Sequence, residues 1–208
     1  MTQPGLTPAQ RRIYRAALYL FAEKGVTQVS VRELAEQAGV ARGTVYNHVD
    51  SVETLFEQVS EALTREMNQR IVQSFRHCHD SDSRLATAIR LYIKRAHEEP
   101  AWGQFISRFG FTSPALRRLG AGAPVQLLLD GIQRGHYQVR TDQLSGVITM
   151  IGSSVLGAIY LVRQGLRTWR DAGSDCAELV LRSLGVAPER AQQLAQGELP
   201  ALPEPRWQ

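Results

Sequence analysis

Three features of the 208-residue chain predict an all-α fold: long stretches without proline, apolar residues recurring at helical spacing, and no strand-like alternation long enough to build a sheet. Proline is absent from Ala9 to Glu99 and again from Val125 to Ala187, so long helices are permitted in both stretches. The first helix has a complete set of signals. Thr7 caps it, Pro8 takes its first position, Gln10 reaches back, Ile13, Ala16, Ala17, Leu20 and Phe21 make one apolar stripe, and Gly25 ends it.

A second helix begins with a capping box, Ser30-Val31-Arg32-Glu33, has a narrow apolar inner face of Val31, Leu34, Ala35 and Ala38, and stops at Gly39. A third, short and polar, follows almost at once over Ala41 to Val49. Val45 and Val49 face inward, and Arg42, Thr44, Tyr46, Asn47 and His48 project elsewhere. The fourth starts near Ser51 with the stripe Val52, Leu55, Phe56, Val59, Leu63 and Met67. His77 to Ser83 breaks the pattern and reads as a linker. Further helices are predicted at about 84–98, 101–109, 114–135, 141–165 and 174–184, then a short one from Pro188 and a loose tail from Gly197.

Charge is unevenly placed. The formal net charge is +4 with a pI near 9.4. Residues 1–48 hold six of the 24 basic side chains (Arg11, Arg12, Arg15, Lys24, Arg32 and Arg42) and only three of the 20 acidic ones. A basic N-terminus suits a polyanionic partner. Cys78 and Cys176 follow no disulfide-framework or CxxC spacing, which implies a reducing compartment, and the start has no apolar signal-peptide core, so a cytoplasmic location is expected. Leu144 to Val162 is uncharged and as long as a short membrane span, but three glycines, three serines and a threonine dilute it; a buried interface helix is the expectation, with no membrane partner.

Helix, tight glycine turn and short polar helix is the arrangement that places a recognition helix in the DNA major groove. Arg42 can pair with guanine or a phosphate and Asn47 with adenine. Thr44, Tyr46 and His48 suit phosphate oxygens, and Ser30 can offer its hydroxyl and nearby amides to another phosphate. The residues Val31 to Val49, followed by Asp50 to Phe56, closely resemble the DNA-binding signature of the tetracycline-repressor (TetR) family, and Ala16 to Gly25 looks like that family's first helix. The resemblance covers roughly residues 8–60. It implies a three-helix DNA-binding domain over residues 1–50, joined by a long helix to a helical effector-binding and dimerisation domain over 51–208. It further implies a homodimer on a near-palindromic double-stranded operator, released by a small-molecule effector, with Ser30, Arg32, Arg42, Gly43, Thr44, Tyr46, Asn47 and His48 at the DNA. Two positions depart from the family pattern. Ala41 stands where serine or threonine commonly caps the third helix, at a cost of about 1 kcal/mol, and Val52 stands where lysine is common.

The expected effector is an apolar small molecule in an apolar pocket, with Tyr92, Trp102, Phe105, Phe109, Met150 and Ser154 as its lining. Ser153 and Gly157, small residues one turn apart, together with Leu179, Val180 and Leu184, are the expected dimer contacts, forming a four-helix interface. The run His77-Cys78-His79 lacks a second ligand pair at zinc-like spacing, so no metal or other cofactor is expected. No nucleophile elbow or phosphate loop is present in the sequence, and Asp130, His136 and His97 are only loose candidates for catalysis, so an enzyme is not expected.

Overall fold

The computed structural model describes residues 6–116 and 123–204. Among them the regular structure is helical: α1 (Pro8–Lys24), α2 (Val31–Ala38), α3 (Arg42–Tyr46), α4 (Val52–Ser74), α5 (Ser81–Glu98), α6 (Pro100–Phe109), α7 (Ala123–Gln133), α8 (Leu144–Arg163), α9 (Trp169–Ser183) and α10 (Pro188–Gln196), with short 3-10 turns between some of them. The caps explain the boundaries. Thr7 and Gln10 exchange hydrogen bonds at the start of α1, Ser30 and Glu33 do so at α2, and Ser51 accepts from the Thr54 amide at α4.

The first three helices close around Ile13, Phe21, Leu34 and Val45, each with no exposed surface. From residue 81 onward α5 is the central element and touches α6, α7, α8, α9 and α10. Its buried face of Leu85, Ala88, Ile89, Tyr92 and Ala96 supplies much of the second half's core. Helix α4 runs from one half to the other, with Leu55, Phe56 and Val59 buried near its start and Met67 and Ile71 near its end.

Three buried charges and the half-buried Glu99 fasten α4 to α5. Arg95 on α5 reaches Glu66 on α4 at 2.6 Å and Glu99 at 2.9 Å, while Arg70 on α4 meets Glu66 at 2.8 Å and Glu99 at 3.0 Å. The set is balanced, two guanidinium groups against two carboxylates. Trp102 of α6 lies under the Arg95 guanidinium, 4.5 Å from its ring centroid, which draws a third helix into the cluster.

Several sequence expectations are corrected here. The third helix ends at Tyr46 rather than Val49, since Asn47 and His48 already form its closing turn. The stretch from His77 to Ser83 is not a loose linker, because Asp80 caps α5 through the Ser83 amide at 2.8 Å and pairs with Arg190 at 2.8 Å. Helix α9 begins five residues before the expected 174, where Thr168 caps it by accepting from the Asp171 amide. The tail is anchored: Leu199 and Leu202 pack on the core, and Arg70 donates to the Pro203 carbonyl at 2.6 Å. Part of the helix expected at 114–135 falls on residues 117–122, outside the described residues; α7 covers Ala123–Gln133.

Candidate functional site

Helices α2 and α3 are joined by a turn that only a left-handed residue closes well. Gly39 sits at φ 63° and ψ 40°, its amide donating to Glu36, while the Val40 amide donates to Ala35. Arg12 of α1 donates to the Gly39 carbonyl at 3.4 Å and steadies the turn from behind. Val45 and Val49 then anchor the short helix to the core, and the opposite side is left in solvent. Tyr46 is 65% exposed, Arg42, Gly43 and Asn47 are exposed, and Thr44 and His48 are half-buried. These six residues form one outward surface. Ala41 provides no side-chain hydrogen bond at the start of α3, so that helix depends on Val45 and the turn to hold its place.

Ser30 and Arg32 are exposed at the edge of that surface, but both are already engaged. The Ser30 hydroxyl donates to Glu33 at 2.8 Å, and Arg32 pairs with Glu36 at 2.8 Å. Lys24 reaches Glu33 from the end of α1 at 2.7 Å. The Lys24 ammonium and the Ser30 donors together hold the Glu33 carboxyl down to about 2. Exposed pairs such as these contribute little to stability and exchange readily for another anion.

Helix α6 connects this head to the rest of the molecule. Gln104 donates to the Ala22 carbonyl at 3.0 Å, and Arg108 donates to Glu23 at 3.0 Å and Lys24 at 3.3 Å. Those carbonyls are the unpaired end of α1, so α6 acts as its cap. Beside them Phe21 of α1, Phe56 of α4 and Phe105 and Phe109 of α6 make an aromatic cluster, with centroids 4.9 to 5.6 Å apart for the contacts of Phe56. Nothing in the sequence pattern singles out Gln104 and Arg108, because their partners are backbone atoms some eighty residues away.

A cavity of about 240 Å³ lies on the other side of α6. Leu85, Ala88, Ile89 and Tyr92 of α5 form one wall and Ile148, Ile151, Val155, Leu156 and Ile159 of α8 the other, with Ile106, Gly110 and Phe111 closing one end. Of the six residues expected to line it, Tyr92 does so. Trp102 and Phe105 are fully buried in the core, where Trp102 carries Arg95 and Phe105 joins the aromatic cluster; Phe109 belongs to that cluster as well. Met150 and Ser154 turn to the opposite side of α8, because one helix cannot direct residues 150 and 154 into the same wall as 148, 151, 155 and 159. Asp130, His136 and His97 are not among the lining residues.

On that opposite side, Met150, Ser154, Gly157 and Leu161 of α8 and Cys176, Leu179, Val180 and Ser183 of α9 border a second groove. Ser153 and Gly157 are exposed and Leu179 is 63% exposed, so three of the five expected dimer contacts are at the surface. Val180 is 2% exposed, at the groove floor. Leu184 has no exposed surface and packs inside the protomer, which corrects its expected place at the interface. A Cβ added at Gly146, Gly152 or Gly157 would meet nothing within 4 Å. Helix α8 is also the one segment among the described residues long and apolar enough to cross a membrane by composition; only 17% of that window is buried within the protomer.

Comparison with known proteins agrees with this architecture. Residues 13–59 match the family described as bacterial regulatory proteins, tetR family, and residues 80–197 match the tetracyclin repressor-like C-terminal domain. Over 43 residues the chain is 40% identical to the HTH-type transcriptional repressor KstR2 of Rhodococcus jostii (strain RHA1), and over 54 residues 37% identical to KstR2 of Mycolicibacterium smegmatis. Those matches span 21% of each chain in the first case, and 25% of this chain and 26% of the relative in the second, so they concern a part of each protein and not the whole. The solved structure of RolR in complex with resorcinol superposes with a TM-score of 0.72 at 27% identity, covering 94% of this chain and 96% of that one. A tetR family transcription regulator from Shewanella sp. PV-4 shares the fold with a TM-score of 0.75 at 20% identity, over 86% of this chain and 98% of that one.

An all-helical chain with an outward helix-turn-helix and a separate helical C-terminal half is a DNA-binding transcriptional regulator. It belongs to the TetR family.

Proposed function

We propose that the protein is a ligand-responsive repressor that binds a near-palindromic operator as a homodimer and is released by a small-molecule effector. The observation that carries the reading is the solvent-facing surface of α3, where Tyr46, Arg42, Gly43 and Asn47 stand clear of the core that fixes Val45. In this reading residues 1–50 form the reading head and residues 51–208 the effector and dimerisation domain. Arg42 and Asn47 meet base edges, Thr44, Tyr46 and His48 meet phosphates, and Ser30 and Arg32 exchange their internal carboxylate partners for the DNA backbone.

The groove between α8 and α9 supports a twofold interface, since its Gly157 faces open space and its Leu161 and Leu179 are exposed. Two such protomers would set their recognition helices about 34 to 36 Å apart for half-sites one turn apart. Effector release follows from α6 and α4. Ile106 of α6 borders the cavity while Gln104 and Arg108 on the same helix grip α1 and Phe105 packs on Phe56 of α4, and α4 carries any shift to the head. RolR, bound to resorcinol, is a related protein in which a small aromatic molecule is held. A coupling of about 1 to 3 kcal/mol between cavity and operator is of ordinary size for such a switch.

The test is footprinting on the DNA flanking the protein's own gene, followed by gel-shift titration of Tyr46→Ala. That variant should bind about tenfold more weakly, in keeping with the roughly 1.5 to 3 kcal/mol of one hydrogen bond to a charged phosphate, and should melt as the parent does. An unchanged operator affinity would count against α3 as the reading element, and the absence of any footprint would remove the repressor assignment.

A further inference from the structure

A second recess, sharing no lining residue with the apolar cavity, lies between the C-terminal half of α5, the first turns of α9 and the end of α10. It measures about 710 Å³, within the roughly 300 to 1,000 Å³ usual for ligand sites. Its charge is one-sided. Arg90, Lys94 and Arg170 line it against the single carboxylate of Glu98, an excess of two formal positive charges before His97 is counted.

The three cations are held in place. The stem of Arg90 lies across α9 at Gly173, where an added Cβ would come within 3.6 Å of its Cγ. Its Nη1 donates to the Leu194 carbonyl at 3.3 Å, and the rest of its fork has no partner among the described residues. Burial pulls this guanidinium below its ordinary range, the mark of a half-buried cation without a counter-charge. Trp169 gathers the other two, with the Lys94 ammonium 5.7 Å and the Arg170 guanidinium 4.4 Å from its ring centroid. Arg170 has no carboxylate partner among the described residues, and Lys94 meets Glu98 only at 3.5 Å. The neighbouring acids of α9 are engaged elsewhere, Asp171 by the Thr168 hydroxyl and Asp175 by Arg167.

Arg90 and Lys94 stand one turn apart on α5, and Lys94 shares the Trp169 ring with Arg170, so the three positive groups repel one another until an anion joins them. A guanidinium fork takes two oxygens of an anion and an ammonium takes another as a point charge. A tetrahedral phosphate presents three acceptor oxygens at once and carries close to two negative charges, which matches both the donors and the excess charge. We propose that this cleft is a second ligand site, one that binds a compact phosphate monoester through Arg90, Lys94 and Arg170. It goes beyond the operator and the apolar effector, since it uses neither the surface of α3 nor the apolar cavity.

Calorimetric titration of the full chain without DNA, in Tris chloride at constant ionic strength, tests this with inorganic phosphate and with glycerol 1-phosphate. Both should saturate one site per chain at millimolar concentration or below. Succinate, a dianion built of two flat carboxylates, should bind about fivefold more weakly than phosphate. Arg170→Gln and Lys94→Gln should each weaken phosphate binding about fivefold, the upper worth of one exposed charge pair, and the two together should abolish it. Arg134→Gln removes an equal charge outside the cleft and should leave binding unchanged. Each variant replaces a side chain that is not fully buried, and thermal melting without phosphate checks that it folds as the parent does. No saturation by either phosphate compound, binding that survives the double substitution, or an equal loss with Arg134→Gln, the sign of diffuse attraction to net charge, would overturn the site. Succinate binding as tightly as phosphate would overturn the phosphate assignment. Because no DNA is present, these results are independent of whether the protein binds an operator.

Discussion

Replacing Arg95 with methionine tests whether the four-charge cluster is what binds α4 to α5 and α6. Arg95 is 1% exposed, and its guanidinium meets Glu66, Glu99 and the Trp102 ring. Without it the site holds two carboxylates against the single guanidinium of Arg70, a net buried negative charge. Removing one partner from a buried pair costs about 3 to 5 kcal/mol. For a chain of this size each kcal/mol moves the melting point by roughly 2 to 4 °C, so a drop of about 6 to 20 °C is expected. The double substitution Arg95→Met with Glu66→Leu should be less damaging than Arg95→Met alone. It leaves Arg70 and Glu99 facing each other at 3.0 Å, a balanced pair, and fills the vacated space with apolar atoms. Urea and thermal unfolding of the parent and the single and double variants measure this directly. A double variant no more stable than the single, or a single loss below about 1 kcal/mol, would refute the idea that charge balance, and not packing alone, sustains this junction.

Other outcomes follow from the same geometry. Arg108→Ala removes the donors that cap α1 and should cost about 1 kcal/mol, and it should weaken operator binding in a gel shift. Glu33 has its carboxyl depressed from 4.5 to about 2 by Lys24 and Ser30, so its stabilising contribution is complete above about 4.5 and is lost as pH falls through about 2. The stability difference between the parent and Glu33→Gln, followed by denaturant unfolding against pH, should shrink over that window. The Cys176 thiol is pushed up to about 12, chiefly by burial and then by Asp175, so in a Cys78→Ala background labelling by iodoacetamide at pH 8 should require unfolding. Gly131→Ala would place a methyl group 2.2 Å from the Tyr137 ring, and such overpacking should lower stability by about 1 to 3 kcal/mol in a thermal melt.

The head was readable because its rules are local. Thr7 with Gln10, Ser30 with Glu33 and the left-handed Gly39 each act within a few residues, and the structure realises all three. The deficiency at Ala41 was equally visible, since a missing cap is a property of one side chain. What sequence could not show was the direction in which an apolar residue faces once several helices surround it. Trp102, Phe105 and Phe109 have the composition of a pocket wall, yet the charge of Arg95 and the rings of Phe21 and Phe56 claim them first. Met150 and Ser154 failed by helical phase, falling on the far side of α8 from Ile151 and Val155. The tail failed for a different reason: its composition is that of a free end, and it is held by bonds from the distant Arg70 and Ser74 and by the packing of Leu199 and Leu202 on the core.

Helix α6 has neighbours on both flanks, the end of α1 on one and the ligand space on the other. Under the proposed switch, a substitution there alters chemical taste and the grip on DNA together. Most of the enclosure, however, is furnished by α5 and α8, whose side chains at positions 89, 148, 155 and 156 have no contact with that grip to defend. Under the proposed switch, new effectors are acquired by changing those positions one at a time while the coupling to the head is inherited untouched, and a library built to retune this protein would vary them and keep Gln104, Phe105 and Arg108 fixed.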